Sequence, residues 1–352
     1  AKSTGTEVYG IDVRLPGMRF AAVRRAPHHG AMLGYDDRDA RRMPGVEKVI
    51  DIGDGVAVVA SNTWLAQKAV EAVDIDWGGP APYPADTDAM MAALEDGFEA
   101  APASLMRDDG DTGSIPQDAT EVTAAYDVPF LAHATLEPMN ATAWITSEGL
   151  QLWCGNQAPM QVRAVAAAAA GLPESQVSLI TPPMGGGFGR RSETDAAEVA
   201  TRVAKAMPGT PVAVTWSREE DMTHDFYRPA ARARMRGAIR DGRPVLLDVA
   251  VSSPSILAQA SERWGTPTGG SDRTLVEGLF NQPYGVPYFR VAGHATPLGV
   301  PVGFWRSVGH SQNAFFLESF LDEMAAATDA DPLEMRMALT RDEWEPAYAV
   351  LE

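Results

Sequence analysis

Residues 181–193 read TPPMGGGFGRRSE: three consecutive glycines, one aromatic, a fourth glycine and two arginines. Upstream, VSLITP predicts a short strand, and downstream the apolar spacing of ETDAAEVATRVAKAM predicts a helix. A strand that turns through glycines into a helix start presents free main-chain N–H groups, and the missing Cβ atoms let an anionic ligand approach them. Ser192 is the expected N-cap, with Glu193 and Asp195 in the first turn. The G-G-G-F-G spacing misses the G-x-G-x-x-G rule of dinucleotide sites, and no Lys-Ser/Thr pair follows as in a nucleotide P-loop. A tight turn without a ligand is the plain alternative. Phe188 adds a planar group that a phosphate loop does not need. Arg190 and Arg191 either neutralise a bound anion or form a solvated pair at the loop edge.

Outward from the loop the chain mixes strands and helices. RFAAVRR, EKVIDI, VAVVAS and VDIDW read as strands, DDRDARRM as a short helix. NTWLAQKAVEAV reads as a helix capped by Asn62 or Ser61, with Trp64, Leu65, Ala69 and Val70 on its apolar stripe. GGPAPYPAD at 78–86 marks the expected domain boundary. A helix DTDAMMAALEDGFEA leads to RDDGDTGSIPQ (107–117), read as exposed linker. TEVTAAYDV, ATAWIT, LQLWC and PVAVTW read as strands and PMQVRAVAAAAAG as a helix whose alanines permit close packing. RARMRGAIR and PVLLDVAVSS form an expected hairpin around Asp241-Gly242. The span 253–311 shows little periodicity, whereas SQNAFFLESFLDEMAAATD is an amphipathic helix. EWEPAYAVLE reads as a helix that begins rather than ends, so the chain is expected to continue beyond Glu352.

The 352 residues carry a formal charge of −18, which opposes binding to nucleic acid or anionic membranes. No apolar run is long enough for a transmembrane helix. The compartment, periplasmic or cytoplasmic, is not encoded here. A single cysteine, Cys154, excludes an internal iron–sulfur cluster or Cys₄ zinc site, and in LQLWCG it reads as a small buried hydrophobe. His133 and Glu137, four apart, meet if HATLEPM is helical, with structural hydrogen bonding preferred over chemistry. His28 and His29 read as surface residues, His224 and Asp225 as structural, and His310 as a cap of the following helix. Trp153 and Trp216 read as core; Trp305, beside Arg306, is a candidate pocket wall.

MGGGFGRR, together with HATLEPMNATA (133–143), GNQAP with Gln157, WSREEDM (216–222) and GFWRSVGHSQNAFFLESF (303–320), resembles the large subunit of the xanthine oxidase family of molybdenum hydroxylases. Within it the isoquinoline 1-oxidoreductase and bacterial aldehyde dehydrogenase branch is most similar. The resemblance implies an α+β fold: an α/β hammerhead domain at 1–80, a linker region with a helix at 81–117, and a mixed α/β molybdopterin-binding domain at 118–352. It implies molybdenum held by a molybdopterin, in its cytosine dinucleotide form, with no direct protein ligand. On this chain the cofactor contacts fall on Gln157, Gly186, Gly187, Phe188, Gly189 and Arg306, and the substrate pocket on Trp305 and Val308. Two departures stand out: Ser192 occupies a position where many members orient substrate with a glutamate, and the family's C-terminal catalytic glutamate has no counterpart. No catalytic residue is therefore assigned, and the chain is expected to be inactive alone.

The implied partners are the remaining C-terminal part of the large subunit, a small subunit carrying [2Fe–2S] clusters, and an aldehyde or N-heterocycle as substrate. A non-catalytic cofactor-binding or assembly module is the first alternative; a nicotinamide-dependent oxidoreductase is a weaker one.

Overall fold

The computed structural model describes residues 1–79, 83, 86–267 and 270–352, and only the backbone of His28. The boundary expected at 78–86 falls partly outside the described residues. In chain order the first elements are β1 (Arg19–Arg25), β2 (Ala31–Asp36), α1 (Arg38–Arg42), β3 (Val46–Asp51), β4 (Gly55–Ala60), α2 (Thr63–Glu71) and β5 (Asp74–Gly78). There follow α3 (Thr87–Asp96), β6 (Ser104–Asp109), β7 (Thr120–Val128), β8 (Asn140–Thr146), β9 (Gly149–Trp153), α4 (Pro159–Ala170) and β10 (Val177–Ile180). Beyond the glycine loop come α5 (Asp195–Lys205), β11 (Val212–Thr215), α6 (Arg218–Thr223), β12 (Ala231–Arg240), β13 (Arg243–Ser253) and α7 (Ile256–Trp264). The last are β14 (Tyr288–Ala295), α8 (His310–Ala327), α9 (Pro332–Thr340) and α10 (Glu345–Leu351).

Contacts divide the chain into two compact units, Ala1–Tyr83 with Ala132–Phe226, and Pro84–Leu131 with Tyr227–Glu352. The sequence reading sets its divisions at 80 and 117. In the first unit a seven-stranded sheet runs in the order β10-β9-β8-β11-β1-β4-β3, and β2 pairs β5 beside it. β1 lies parallel to β11 and antiparallel to β4, so strands distant in sequence share one ladder. Every residue of β4 is buried, the mark of a central strand covered on both faces. Val56, Val58 and Ala60 pack with Ala66, Ala69 and Val70 of α2, whereas Ala57 and Val59 join the core under α4 and α5. There Ala166, Ala167, Ala196, Ala197 and Ala200 leave room for close packing of both helices.

Trp64 departs from the expected stripe: it is 65 % exposed, with Lys68 over its ring, and Ala66 is buried in its place. A bulky ring fits the solvent face here because the opposite face of α2 needs small side chains against the sheet.

The second unit holds a five-stranded sheet in the order β6-β14-β13-β12-β7. α8 packs across it through Phe316, Leu317, Phe320, Leu321 and Met324. The β12–β13 hairpin forms as read, with Asp241 (φ 52°) and Gly242 (φ 72°) both left-handed, as a two-residue turn demands. Part of the expected 107–117 linker is instead the end of β6, an edge strand whose charged RDD pattern disguises its pairing with β14. The span 253–311 contains α7, capped by Ser255, and β14, buried beside β13. Together these elements make the fold a mixture of α and β with mixed sheets.

Candidate functional site

After β10 the chain passes through residues 181–189, makes one 3₁₀ turn at Arg190–Ser192 and enters α5. The expected N-cap at Ser192 is displaced: Thr194 occupies the cap position without a side-chain bond, because the 3₁₀ turn delays the helix. Gly186 (φ 114°), Phe188 (φ 53°) and Gly189 (φ 103°) all adopt positive φ. Glycine does so freely, but Phe188 is held there against its preference and is 43 % exposed.

Gly185 N–H donates to Glu137 Oε2 at 2.7 Å and Gly189 N–H donates to Gln157 Oε1 at 3.0 Å. Between them, the N–H groups of Gly186, Gly187 and Phe188 find no acceptor among the described residues. The carbonyls sharing their peptide planes are all held: Gly185 O by Glu137 N (3.1 Å), Gly186 O by Arg191 Nε (2.8 Å) and Gly187 O by Arg190 N (2.9 Å). No peptide among the described residues is cis, so each free N–H points opposite to its anchored carbonyl. Three consecutive donors are thus left unmet among the described residues and fixed in direction.

Gln157, from the turn after β9, sits against this loop. A Cβ on Gly187 would come within 2.7 Å of Gln157 Oε1. Because Oε1 accepts from Gly189, the exposed side chain retains its amide nitrogen, with two N–H donors, for a ligand. Gln157, Gly186, Gly187, Phe188 and Gly189 therefore form one local constellation. It is a donor set, suited to a ligand rich in hydrogen-bond acceptors.

The arginines of the motif do not form a solvated pair. Arg190 and Arg191 are each 1 % exposed. Arg190 donates to both carboxylate oxygens of Asp195 at 3.0 and 2.8 Å, and its Nε lies 3.1 Å from Asp225 Oδ1. Its guanidinium also faces the rings of Trp216 and Phe226. Burial opposes its charge, but Asp195, through its charge and hydrogen bonds, and Asp225 outweigh that and raise its pKa. Asp195 in turn stays below the ordinary carboxylate range: burial would raise it, and the Arg190 charge overcomes this. Arg191 donates to Gly186 O, Gly155 O, Glu137 O and Glu137 Oε2. A buried guanidinium needs such partners, and the Glu137 segment and the glycine loop supply them.

His133 and Glu137 do not meet on a helix, since residues 132–138 are irregular. His133 Nδ1 pairs with Asp225 at 2.9 Å, and Glu137 accepts from Ile11 N, Asn140 Nδ2, Gly185 N and Arg191 Nη2. His29 is half-buried rather than a surface residue, its ring 5.3 Å from that of His224. Burial first, then the charges of His224 and Arg25, lower its pKa to about 4. His224 bonds Ala26 O and pairs with Glu220. No group of three metal-ligating side chains occurs among the described residues. Cys154 is buried with its thiol pushed up to about 12 by desolvation, as befits an inert core residue.

Trp305, Arg306 and Val308 lie in the second unit, in the loop before α8. Arg306 is exposed and Trp305 half-buried. Ser307 (φ 69°) and Val308 (φ 50°) are consecutive left-handed residues, closed by Val308 N–H to Trp305 O at 2.7 Å. His310 does not cap α8; Gly309 is its N-cap and no side chain bonds there.

What sequence reading missed is the pairing: Arg190 with Asp195 and Asp225, and Arg191 with Glu137. The signal available was two adjacent arginines, which a chain this acidic has ample carboxylates to neutralise internally.

A donor-lined glycine loop between a strand and a helix is a feature of proteins that bind an acceptor-rich ligand through main-chain N–H groups. The chain belongs to the molybdopterin cofactor-binding domain family, whose model matches residues 98–339. It is 29 % identical over 352 residues to the β subunit of isoquinoline 1-oxidoreductase from Brevundimonas diminuta, covering 96 % of this chain and 45 % of that protein. It is 28 % identical over 355 residues to a nicotinate dehydrogenase component from Pseudomonas putida, covering 96 % of this chain and 29 % of the relative. The solved structure of quinoline 2-oxidoreductase from Pseudomonas putida 86 superposes with a TM-score of 0.74 at 20 % identity, over 96 % of this chain and 48 % of that one. The chain thus spans less than half the length of these proteins.

Proposed function

We propose that this chain is the cofactor-holding portion of a molybdenum hydroxylase large subunit whose substrate is an aldehyde or an N-heteroaromatic ring. The observation that carries the reading is the row of three unmet N–H donors at Gly186, Gly187 and Phe188, flanked by the free amide nitrogen of Gln157. Bound there, a molybdenum–molybdopterin group supplies transfer of water-derived oxygen and uptake of two electrons, and the protein supplies orientation and electrostatics. The loop N–H groups and Gln157 Nε2 donate to the ligand's acceptors. Phe188 offers a ring face. Arg306 supplies a positive charge, and Trp305 with Val308 lines the substrate pocket.

Residues 1–80 act as a hammerhead domain, 81–117 as a linker region and 118–352 as the first cofactor-binding domain. The cofactor is the cytosine dinucleotide form, and [2Fe–2S] clusters in a small partner subunit receive the electrons. No residue of this chain is assigned as catalytic base. No helix among the described residues is long and apolar enough to cross a membrane.

Metal analysis of protein purified from a host that makes the cofactor tests the proposal. About one molybdenum per chain supports it; protein free of molybdenum under those conditions favours a binding or assembly module without cofactor. Tight NAD(P) binding in titration would instead revive the nicotinamide reading, which the loop spacing opposes.

A further inference from the structure

We propose that Arg191 and Glu137 form a buried positioning pair that fixes the direction of the loop's N–H donors and the seat of Gln157. The inference rests on the cofactor reading above for its purpose, though not for its geometry. Arg191 reaches main-chain carbonyls of three segments distant from one another: Gly186 at 2.8 Å, Gly155 at 3.4 Å and Glu137 at 3.0 Å. Its own carbonyl accepts from Gln157 N–H at 2.8 Å. One residue therefore ties the turn carrying Gln157 to the loop carrying the free donors.

The Gly186–Gly187 peptide explains why a side chain is needed. Flanked by glycine on both sides, it rotates with little steric resistance, and rotation would turn the Gly187 N–H away from any ligand. Its carbonyl is held by Arg191 Nε, whereas the neighbouring planes are held by backbone N–H groups. A guanidinium spans all of these acceptors with a rigid fork; an ammonium acts as one point charge. Glu137 completes the arrangement. Its Oε2 takes the Gly185 N–H and Arg191 Nη2, at 2.7 and 3.2 Å, and its Oε1 takes Ile11 N and Asn140 Nδ2, both at 2.9 Å. With four donors on one carboxylate, the pair is satisfied on every side and stiff.

The test compares wild type with Arg191→Lys and Glu137→Gln in the full protein, using Arg202→Lys, a surface pair with Glu198, as control. Three quantities are read: molybdenum per chain, amide hydrogen exchange of cofactor-free protein, and melting temperature. The expected result is faster exchange confined to the bonded amides of Gln157, Gly185 and Gly189, with β4 protection unchanged, and molybdenum content reduced roughly tenfold, the scale of lost outer-shell support at metal sites. A merely structural role would instead lower protection throughout the unit. If Arg191→Lys does not fold, Glu137→Gln decides alone, since it keeps the side-chain shape and one oxygen acceptor. Wild-type exchange at Gln157, Gly185 and Gly189 in a folded variant overturns the pairing role, whatever the metal content. Molybdenum-free wild type together with the confined exchange response would overturn the cofactor reading while leaving the pair's positioning role intact.

Discussion

Gln157 Oε1 accepts the Gly189 N–H at 3.0 Å, which leaves the amide nitrogen as the end available to the proposed ligand. Gln157→Glu keeps an acceptor for Gly189 and the side-chain shape but replaces the NH₂ donor with an anionic oxygen. An oxygen facing an acceptor-rich ligand repels it. The expected outcome is turnover of the full protein reduced about a hundredfold, the lower end of the loss seen when a donor to a reacting oxygen is removed, with the melting temperature nearly unchanged. Equal turnover in the two proteins would show that Gln157 does not face the reacting group.

Gly187 is left with a φ that other residues tolerate, yet its environment does not tolerate a side chain. A Cβ would lie 2.7 Å from Gln157 Oε1 and 3.1 Å from Cδ. Gly187→Val therefore pushes Gln157 aside and breaks its bond to Gly189, besides occupying ligand space. Because Gln157 is exposed, the fold survives: the melting temperature is expected within a few degrees of wild type, with molybdenum content strongly lowered. Normal molybdenum in purified Gly187→Val would remove the loop from the site. Gly209→Ala is the comparison, a glycine with nothing within 4 Å, whose positive φ costs about 1 kcal/mol of stability and leaves metal content alone.

Much of this was legible in the chain because it is local. The periodicity of RFAAVRR and TEVTAAYDV, the Asn62 cap and the Asp241-Gly242 turn each act within a few residues, and each recurs in the structure. The glycine loop was legible as a donor surface for the same reason. What the sequence hides is direction and distance. Arg190 finds Asp225 thirty-five positions on, Arg191 finds Glu137 fifty-four back, and β1 pairs with β11 across nearly two hundred residues. Two arginines beside a loop read alike whether they face solvent or core; burial alone separates the cases. β14 was invisible because prolines and glycines flank it and its alternation is lost over Val291–His294, four consecutive buried residues between β13 and β6.

His29 gives the first unit a calculable response to acid. In the fold its pKa is about 4, against an ordinary 6.5, because it is desolvated and lies near His224 and Arg25; Asp195 and Asp54 oppose the shift weakly. The unfolded chain therefore binds a proton between pH 6.5 and 4 that the folded chain refuses, so this contribution to stability is full above pH 6.5 and is lost as pH falls through the window. At about 1.4 kcal/mol per unit, discounted for partial exposure, the loss is on the order of 2 kcal/mol. His224 shifts the opposite way: burial lowers its pKa, but the hydrogen bond and charge of Glu220 win, so its contribution fades as pH rises above 6.5. His29→Asn, whose side chain suits the left-handed backbone at φ 54°, is expected to flatten the melting-temperature profile between pH 6.5 and 4. Parallel profiles for variant and wild type would remove His29 as the cause.

Val308, at φ 50°, is a β-branched residue in a backbone region that costs an L-residue roughly 1–2 kcal/mol. The turn keeps it there: Val308 N–H bonds Trp305 O and Ser311 N–H bonds Val308 O, so the strain is imposed by the approach to α8 and not by an error of packing. Val308→Asn relieves the branching and accepts the left-handed geometry, at the loss of about 1 kcal/mol of half-buried apolar contact. The balance predicts a melting temperature equal to or slightly above wild type, whereas the same substitution at an unstrained half-buried valine lowers it. Val308 lies two positions after Arg306, the proposed cofactor contact, so loosening the turn is expected to lower turnover of the full protein while stability holds. If thermal melts show Val308→Asn losing as much stability as an ordinary valine-to-asparagine change, the left-handed turn is not strained and the functional argument for it lapses.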